Sequence, residues 1–348
     1  MNRVPLVITG VGAVSPAGVG IEPLRDALRN GRHCFQPVPV EILGEAGHEW
    51  APASAFRVGD FMPPLKARKF DRCSQFAIAA AGMALKDAGL AVGELDSTRI
   101  GIVLGCGYGG ITNAEEFLKG YFLGGADGLN PMLFPNTVPN AAASNTSIEH
   151  RLRGPNVTIV QRFCSAESAL LMAQRVIEEE RADIMLVGGV DEITPLILKG
   201  FQACGQLRPG GLGRGFSEGA GIMVLERADH AARRNASIRG RLQSIHTVGF
   251  IPAGREQEGL SRLLAGYPEP ELITLSGIAP GHKELASLFP HVPRLDTGAL
   301  LGRSLAMGGI VMTAHLLTLA PGATGIHLAA SPEGSWYAVG FEGVDFHD

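Results

Sequence analysis

A strand that runs into a cysteine and then into a helix constrains this chain more than any other stretch. Residues 156–160 have the β-branched pattern of a strand, and apolar residues recur at helical spacing from Ala166 to about Glu180. Cys164 therefore falls at a sharp turn, where unpaired N–H groups and the positive end of the helix dipole favour a thiolate. That position suits a nucleophile. The alternative is a small buried residue, which is how most free cysteines behave.

The composition indicates a globular protein with a sizeable core. The chain has 348 residues, of which 45% are hydrophobic and 18% charged, enough for two fused subdomains. The formal net charge of −4 does not indicate binding to nucleic acid or to a membrane surface. No apolar run approaches the roughly 18 residues of a membrane span. From the charge and the absence of such a run, we expect neither a nucleic-acid nor a membrane partner.

The five cysteines are far apart and form no CxxC pair. This spacing argues against a zinc site and a disulfide framework, and it predicts a cytoplasmic protein without a metal. The glycine-rich turn after the first strand, residues 10–18, is not a dinucleotide fingerprint. Ser15 stands at the third glycine position, and Pro16 interrupts the start of a helix. We therefore expect no cofactor.

Strands and helices alternate along the chain, which predicts an α/β fold with a mainly parallel or mixed sheet. Residues 118–140, rich in Gly, Asn, Pro and Phe, are predicted to form a long loop that covers a pocket or packs against a second subunit. The charged connector at 227–240 predicts a boundary between two halves. A strand is predicted to begin at residue 6 and to run into the glycine-rich turn that ends at residue 18. Further strands are predicted near 100–105, 156–160, 184–189, 222–226, 241–249, 272–276, 326–330 and 337–341, and helices near 19–30, 71–88, 141–152, 166–180, before Gly205, 282–288 and 305–318.

Several phrases, in order along the chain, resemble the β-ketoacyl-acyl-carrier-protein synthases of the type I/II class and their polyketide ketosynthase relatives. The resemblance is specific up to about residue 226 and weakens in a trimmed second half. It implies a thiolase-like five-layer αβαβα sandwich of two similar halves, residues 1–230 with the nucleophile turn and dimer face and residues 231–348, and an obligate dimer. The phrases are residues 7–16, 70–77, 153–156, 163–166, 188–195, 215–221 and 340–343.

The resemblance also assigns the catalytic positions. Cys164 falls on the family nucleophile, which takes the acyl group from carrier protein. Ser276 and Ala299 stand where the family has its two histidines, and Arg294 stands at the position of the family lysine. Alanine cannot donate to an enolate, and the loss of one such group typically costs on the order of 10²–10⁴ in rate. His282, six residues after Ser276, is the candidate substitute.

Two further groups of residues match family positions. Phe163, Phe341 and Gly340 match substrate-binding positions, Phe341 as a pocket gate with plain core packing as the alternative. The basic residues Lys66, Arg68 and Lys69 match the surface that binds the acidic acyl carrier protein, with a solvated loop as the alternative.

Three functions follow from these assignments. The first is a chain-length-factor-type subunit that pairs with an active ketosynthase in type II polyketide, aryl-polyene or other polyene, or fatty-acid-like elongation. The second is an acyltransferase or hydrolase that uses Cys164 without decarboxylation, with backbone N–H groups of Cys164 and Phe341 as an oxyanion hole. The third, an ordinary condensing synthase, conflicts with Ser276 and Ala299. The expected partners are a ketosynthase subunit or a second copy, and acyl carrier protein.

Overall fold

Thirteen strands are present in the part of the chain that this computed structural model describes, residues 4–207, 215–252, 254–277, 288–332 and 334–345. They are β1 (Leu6–Ser15), β2 (Gly18–Val19), β3 (Gln36–Pro37), β4 (Glu49–Trp50), β5 (Ile100–Cys106), β6 (Asn156–Ile159), β7 (Ile184–Asp191), β8 (Gly219–Arg227), β9 (Gly240–Val248), β10 (Leu272–Gly277), β11 (Arg294–Asp296), β12 (Thr324–Ala330) and β13 (Trp336–Gly343).

The helices occupy the connections between these strands. They are α1 (Ile21–Arg29), α2 (Val40–Leu43), α3 (Pro64–Ala67), α4 (Arg72–Asp87), α5 (Ile111–Gly124), α6 (Ala141–Glu149), α7 (Ser165–Glu178), α8 (Pro195–Ala203), α9 (Ala228–Arg233), α10 (Glu256–Leu263), α11 (Gly298–Leu301) and α12 (Gly308–Thr318). Short 3₁₀ turns add Val58–Asp60, Val92–Glu94, Ser97–Arg99, Gly125–Gly128, Phe134–Asn136 and Arg162–Cys164.

The two halves of the chain repeat one strand order. The first half runs β6-β5-β7-β8-β1 and the second β11-β10-β12-β13-β9, and an antiparallel pairing of β1 with β9 joins them into one hydrogen-bonded sheet. Strands β5 and β10, each next to an edge strand, pair in parallel with both neighbours, whereas the remaining pairs are antiparallel. The mixed sheet and the two similar halves agree with the prediction.

Helices lie on both faces of each half. Helices α4 and α6 pack on the outer face of the first half, and α10 packs on the outer face of the second. Between the halves, α7 and α12 contact each other and strands of both halves. The buried apolar face of α7, which includes Leu170 and Ile177, explains this central position. The result is the αβαβα sandwich that the resemblance implies.

For the helix near 71–88, the sequence offers Asp71 or Ser74 as the N-terminal cap and Gly89 as the residue after its end. The structure selects Asp71 and confirms Gly89. The carboxylate of Asp71 caps α4 by accepting the backbone N–H of Ser74 at 2.9 Å. Gly89 follows the helix in the left-handed conformation with a φ of 62°. The sequence therefore marked both ends of this helix correctly.

Other boundaries differ from the expectations. The predicted loop at 118–140 is wrong at its start, because α5 continues to Gly124. The sequence did not predict α10 or β11, which are short elements of 8 and 3 residues. Residues 282–287 of the predicted helix at 282–288, including His282, lie outside the described residues. The boundary between the halves at 230 stays a prediction. Within the described ranges, no helix has both the length and the apolar character to cross a bilayer.

Candidate functional site

Cys164 lies at the turn that the sequence predicts. It ends the 3₁₀ turn Arg162–Cys164 and is the residue that precedes the first turn of α7. Arg162 enters this turn with a φ of 49°, in the left-handed region that side chains other than glycine seldom adopt. Such strain persists only where the surrounding structure holds it, and the turn packs against both β10 and β12.

The reactive atoms of Cys164 are engaged inside the protein. Its side chain is 0% exposed, and its thiol donates to the carbonyl oxygen of Ser335 over 3.4 Å. Its backbone N–H donates to the carbonyl of Gln161 at 3.1 Å. In this structure that donor is used by Gln161, and its service in an oxyanion hole stays a prediction.

The connection between β12 and β13 covers this turn. The amide of Gln161 donates to the Ser335 hydroxyl at 3.3 Å, and the Tyr337 hydroxyl donates to Gln161 Oε1 at 3.1 Å. With the bond from the Cys164 thiol, three contacts join the turn to one hairpin. These contacts fix the described part of the hairpin against the Cys164 turn.

Ser276 lies near the end of β10 and is buried. Its hydroxyl donates to Glu167 Oε1 at 2.7 Å. The imidazole of His327, on the neighbouring strand β12, approaches the same oxygen with its Nε2 atom at 2.8 Å and lies 3.3 Å from the Ser276 hydroxyl. The position that the resemblance gives to a histidine is therefore occupied by a serine that contacts another histidine.

The sequence did not single out Glu167 or His327. Glu167 follows Cys164 by three residues, and His327 interrupts an apolar strand. Both side chains are fully buried. Burial of such polar groups requires hydrogen-bonding partners, so a polar residue at an inward position was the available signal.

The hydrogen-bonded cluster extends to α12. Thr274 Oγ1 lies 3.0 Å from His327 Nδ1 and 3.0 Å from His315 Nδ1. Burial, with a smaller contribution from His327, lowers the pKa of His315 to about 3. His315 also packs its ring against Phe341 at 5.4 Å between centroids. The apolar helix predicted near 305–318 makes His315 a core residue on the sequence alone, and its complete burial agrees with this.

Ala299 and Arg294 lie apart from this cluster. Ala299 in α11 is exposed, and its carbonyl pairs with His33 Nδ1 at 3.0 Å. Arg294 in β11 is also exposed and donates to the Phe289 carbonyl at 2.8 Å. The structure does not bring these two side chains to Cys164, and their match to the family histidine and lysine stays a prediction.

The predicted substrate-binding residues occupy different surroundings. Phe163 is buried in an apolar cluster with Phe201 and Phe216. Phe341 belongs to the same buried cluster as Cys164, on strand β13 rather than on a loop. Gly340 lines a cavity of about 340 Å³ on the second half. Their roles toward a substrate remain predictions.

A second cavity, of about 360 Å³, adjoins the Cys164 turn through Arg162. Its lining is mainly apolar, and the cavity opens between α5 and α8. This volume is at the lower end of the range for small-molecule sites. Its lining includes Tyr108, Ile111, Leu196, Ile197 and Phe201.

The three predicted docking cations are exposed and close in sequence, Lys66 in α3 and Arg68 and Lys69 immediately after it. Lys66 Nζ pairs with Glu149 at 2.7 Å, which reduces its contribution to the local positive charge. Arg68 and Lys69 extend the same exposed segment.

Buried carboxylates support the loops around the site. Asp191, at the end of β7, accepts from the Gly107 N–H at 2.9 Å and the Ala306 N–H at 2.6 Å. Burial raises the pKa of Asp191 to about 6 and that of Glu192 to about 7. Among the residues with described positions, no group of three His, Cys, Asp or Glu side chains could hold a metal ion.

Comparison with known proteins assigns the chain to a family. The family described as "Beta-ketoacyl synthase, N-terminal domain" matches residues 3–231, well over half of the chain. The chain belongs to the β-ketoacyl synthase family. The family resemblance that the sequence predicts is therefore confirmed.

Curated relatives of this β-ketoacyl synthase family member are longer than the chain itself. The 3-oxoacyl-[acyl-carrier-protein] synthase 2 of Coxiella burnetii is 32% identical, covering 73% of this chain and 64% of the relative. The protein of the same name from Rhizobium meliloti is 36% identical, covering 68% of this chain and 62% of the relative. The chain thus spans less than two thirds of the length of these two relatives.

Solved structures share the fold over nearly the whole chain. The ishigamide ketosynthase/chain length factor has a TM-score of 0.83 at 23% identity, covering 98% of this chain and 100% of the other. A β-ketoacyl synthase from Burkholderia phymatum has a TM-score of 0.83 at 20% identity, covering 98% and 100%. The thiolase-like prediction is confirmed at the level of the fold.

Proposed function

We propose that this β-ketoacyl synthase family member is a non-condensing subunit of the chain-length-factor type. It pairs with an active ketosynthase during type II polyketide, aryl-polyene or other polyene, or fatty-acid-like elongation on acyl carrier protein. The observation that carries this function is the closed state of Cys164. The thiol is fully buried against Ser335, and the adjacent N–H is used by Gln161. Acyl transfer needs an exposed nucleophile and a free oxyanion donor.

The residues at the positions of the two family histidines support the same non-condensing function. Ser276 gives its hydroxyl hydrogen to Glu167, and Ala299 is exposed without a group that titrates. His327 lies close to Ser276, but its Nε2 faces the Glu167 carboxylate and its Nδ1 faces Thr274. An imidazole engaged on both nitrogens is poorly placed to act on a substrate.

An exposed apolar surface in the first half supports a protein partner. The outer edge of β6 is the end of the sheet, and Val160 immediately after it is 54% exposed. Ile148 in α6 is 73% exposed and Phe122 in α5 is 79% exposed. Contacts of α6 with β6 and of Phe134–Asn136 with both α5 and α6 make this one surface. Unpaired edges and apolar patches of this kind are typical of protein interfaces.

The position of this surface favours a ketosynthase subunit as the occupant. Val160 is four residues from Cys164, and the apolar cavity beside the turn opens next to α5. A partner of the same fold that covers this surface would close the cavity and contribute its own wall. That geometry suits a subunit that shapes an acyl pocket shared with the catalytic subunit.

Two measurements test this function. The purified chain is incubated with hexanoyl- and decanoyl-acyl-carrier-protein, and its intact mass is read, with Cys164→Ala as the control. We expect no acyl adduct. A stoichiometric adduct that Cys164→Ala removes would overturn the closed-site interpretation and favour the Cys164-dependent acyltransferase or hydrolase.

The second measurement addresses pairing. Each ketosynthase of the source organism is tagged and co-expressed with this chain, and complexes are sized by light scattering. We expect one stable heterodimer, which Val160→Lys with Ile148→Asp abolishes while thermal unfolding is retained. Phe250→Asp, at an apolar residue 75% exposed in the second half, is the matched control and should leave the heterodimer intact. Failure of every ketosynthase to co-purify would refute the pairing.

A further inference from the structure

A buried polar cluster fastens the first turn of α7 to the second half of the molecule. Glu167 Oε1 accepts hydrogen bonds from Ser276 on β10 and His327 on β12. All three side chains are at most 2% exposed. Within the described chain, Glu167 Oε2 has no hydrogen-bond partner, so the two bonds to Oε1 hold the whole carboxylate. Loss of either bond leaves a buried carboxyl group with fewer hydrogen-bond partners.

The hydrogen atoms of this cluster can be assigned in one consistent way. Thr274 has one hydroxyl hydrogen and faces a ring nitrogen on each side. With His327 Nε2 donating to Glu167, its Nδ1 can accept from Thr274, which in turn accepts from His315 Nδ1–H. One chain of donors therefore runs from His315 through Thr274 and His327 to Glu167.

This chain ends one helical turn from the cysteine. Cys164 immediately precedes α7, and Glu167 is the third residue of the helix. Side chains at this spacing lie near one another at the start of a helix. The strand that carries His327 continues into the hairpin whose Ser335 carbonyl accepts the Cys164 thiol. The β12–β13 unit therefore holds the turn at two points, Ser335 at the thiol and His327 at Glu167.

We propose that His327 is a positioning residue for Cys164. Through Glu167 and together with Ser276, it clamps the first turn of α7 onto β10 and β12 and so keeps the thiol beneath Ser335. When the His327 bond is lost, the buried carboxylate must find solvent or another donor, and the turn moves outward with Cys164. This role goes beyond the proposed pairing and stands whether or not a ketosynthase binds.

The test compares two substitutions of the same histidine. His327→Gln places an amide nitrogen where Nε2 stood and keeps a donor to Glu167. His327→Asn keeps an atom facing Thr274 but cannot reach Glu167. Native protein is treated with iodoacetamide, and the alkylation rates of Cys164 and the exposed Cys204 are read by peptide mass spectrometry.

We expect His327→Asn to raise the ratio of the Cys164 rate to the Cys204 rate about tenfold, and His327→Gln to stay within about threefold of the wild type. Thr146→Val removes a buried 2.7 Å bond to the Ala142 carbonyl in α6 and controls for general destabilisation. We expect it to leave the ratio unchanged.

Three results would overturn this role of His327. One is a folded His327→Asn protein with the wild-type ratio. Another is His327→Gln behaving like His327→Asn, and the third is Thr146→Val raising the ratio as much. If His327→Asn does not fold, Ser276→Ala, which removes the other donor to Glu167, should raise the ratio about threefold, and an unchanged ratio again contradicts the clamp. Because pairing is read separately by light scattering, failure here leaves the proposed function standing.

Discussion

The sulfur of Cys164 lies 3.4 Å from the carbonyl oxygen of Ser335, on a hairpin more than 150 residues further along the chain. The thiol donates its hydrogen to this carbonyl, whereas the nucleophile of a synthase must reach its substrate. The start of a helix, where a thiolate is favoured, is thus combined here with a carbonyl that accepts the thiol hydrogen. This relationship gives the family fold a cysteine that is retained in position but closed to solvent.

Alkylation of the native wild-type chain should therefore be selective. We expect iodoacetamide to modify the exposed Cys204 at least about 100-fold faster than Cys164, because Cys164 reacts only after local opening. Peptide mass spectrometry over a time course measures both rates in one sample, and labelling in denaturant confirms that Cys164 is intrinsically reactive. Equal rates in the native protein would contradict the closed site.

Helix α12 packs so closely against the strands of the first half that a side chain at Gly309 would destabilise the fold. A Cβ at Gly309 would collide with the backbone nitrogen of Gly189 and the carbonyl of Gly221. Backbone atoms of a packed sheet cannot move aside cheaply, so we expect Gly309→Ala to lower the free energy of unfolding by about 3 kcal/mol. Urea denaturation measures the change. Gly59→Ala, where a Cβ meets nothing within 4 Å, is the control and should leave the midpoint almost unchanged.

Glu192 should make stability fall as the pH rises. Burial, reinforced by Asp71 and Glu218, raises the pKa of Glu192 to about 7 from the ordinary value of 4.5. Between these values the folded state binds more protons than the unfolded state, so the stability present below pH 4.5 is lost as the pH rises through about 7.

Glu192→Gln removes this dependence and can keep the bond from the Thr112 N–H, which is 2.8 Å long. We expect the variant to be more stable than the wild type by about 1–3 kcal/mol at pH 8 and nearly equal at pH 4.5. Urea denaturation at the two pH values measures this difference. The prediction fails if Glu192→Gln is less stable than the wild type at both pH values, by as much or more at pH 8. That result would show that the fold stabilises the Glu192 carboxylate.

The exposed basic segment before α4 should govern carrier-protein affinity if the proposed function holds. We expect Arg68→Glu with Lys69→Glu to weaken binding of acyl carrier protein about tenfold at low ionic strength and much less at high salt, because salt screens exposed charges. Lys66→Glu should have a smaller effect, since Lys66 already pairs with Glu149. Calorimetric titration at two salt concentrations measures these affinities.

Lys199→Glu, at an exposed lysine of α8, reverses one charge, as each single substitution of the double variant does, and is the control for net charge. Its affinity should match that of the wild type. If it weakens binding as much as the double variant, net charge rather than this segment controls docking.

Local patterns in the sequence determined a large part of this protein. Periodicity and a capping residue placed α4, the strand before Cys164 and the helix after it, because these elements depend on neighbours within a few residues. The motifs from residue 7 to about residue 226 also identified the family. The short elements α10 and β11 escaped prediction because tertiary packing rather than a local pattern stabilises them.

Only the tertiary structure decided what surrounds the cysteine. Glu167, Ser276 and His327 come from one helix and two strands of the opposite half, and nothing in their separate neighbourhoods marks them as partners. Likewise, the sequence determined that Cys164 begins a helix, whereas the folded hairpin determined that its thiol meets the Ser335 carbonyl. A helix start is set by adjacent residues, but burial and hydrogen bonding of a side chain depend on segments that only the complete fold brings together.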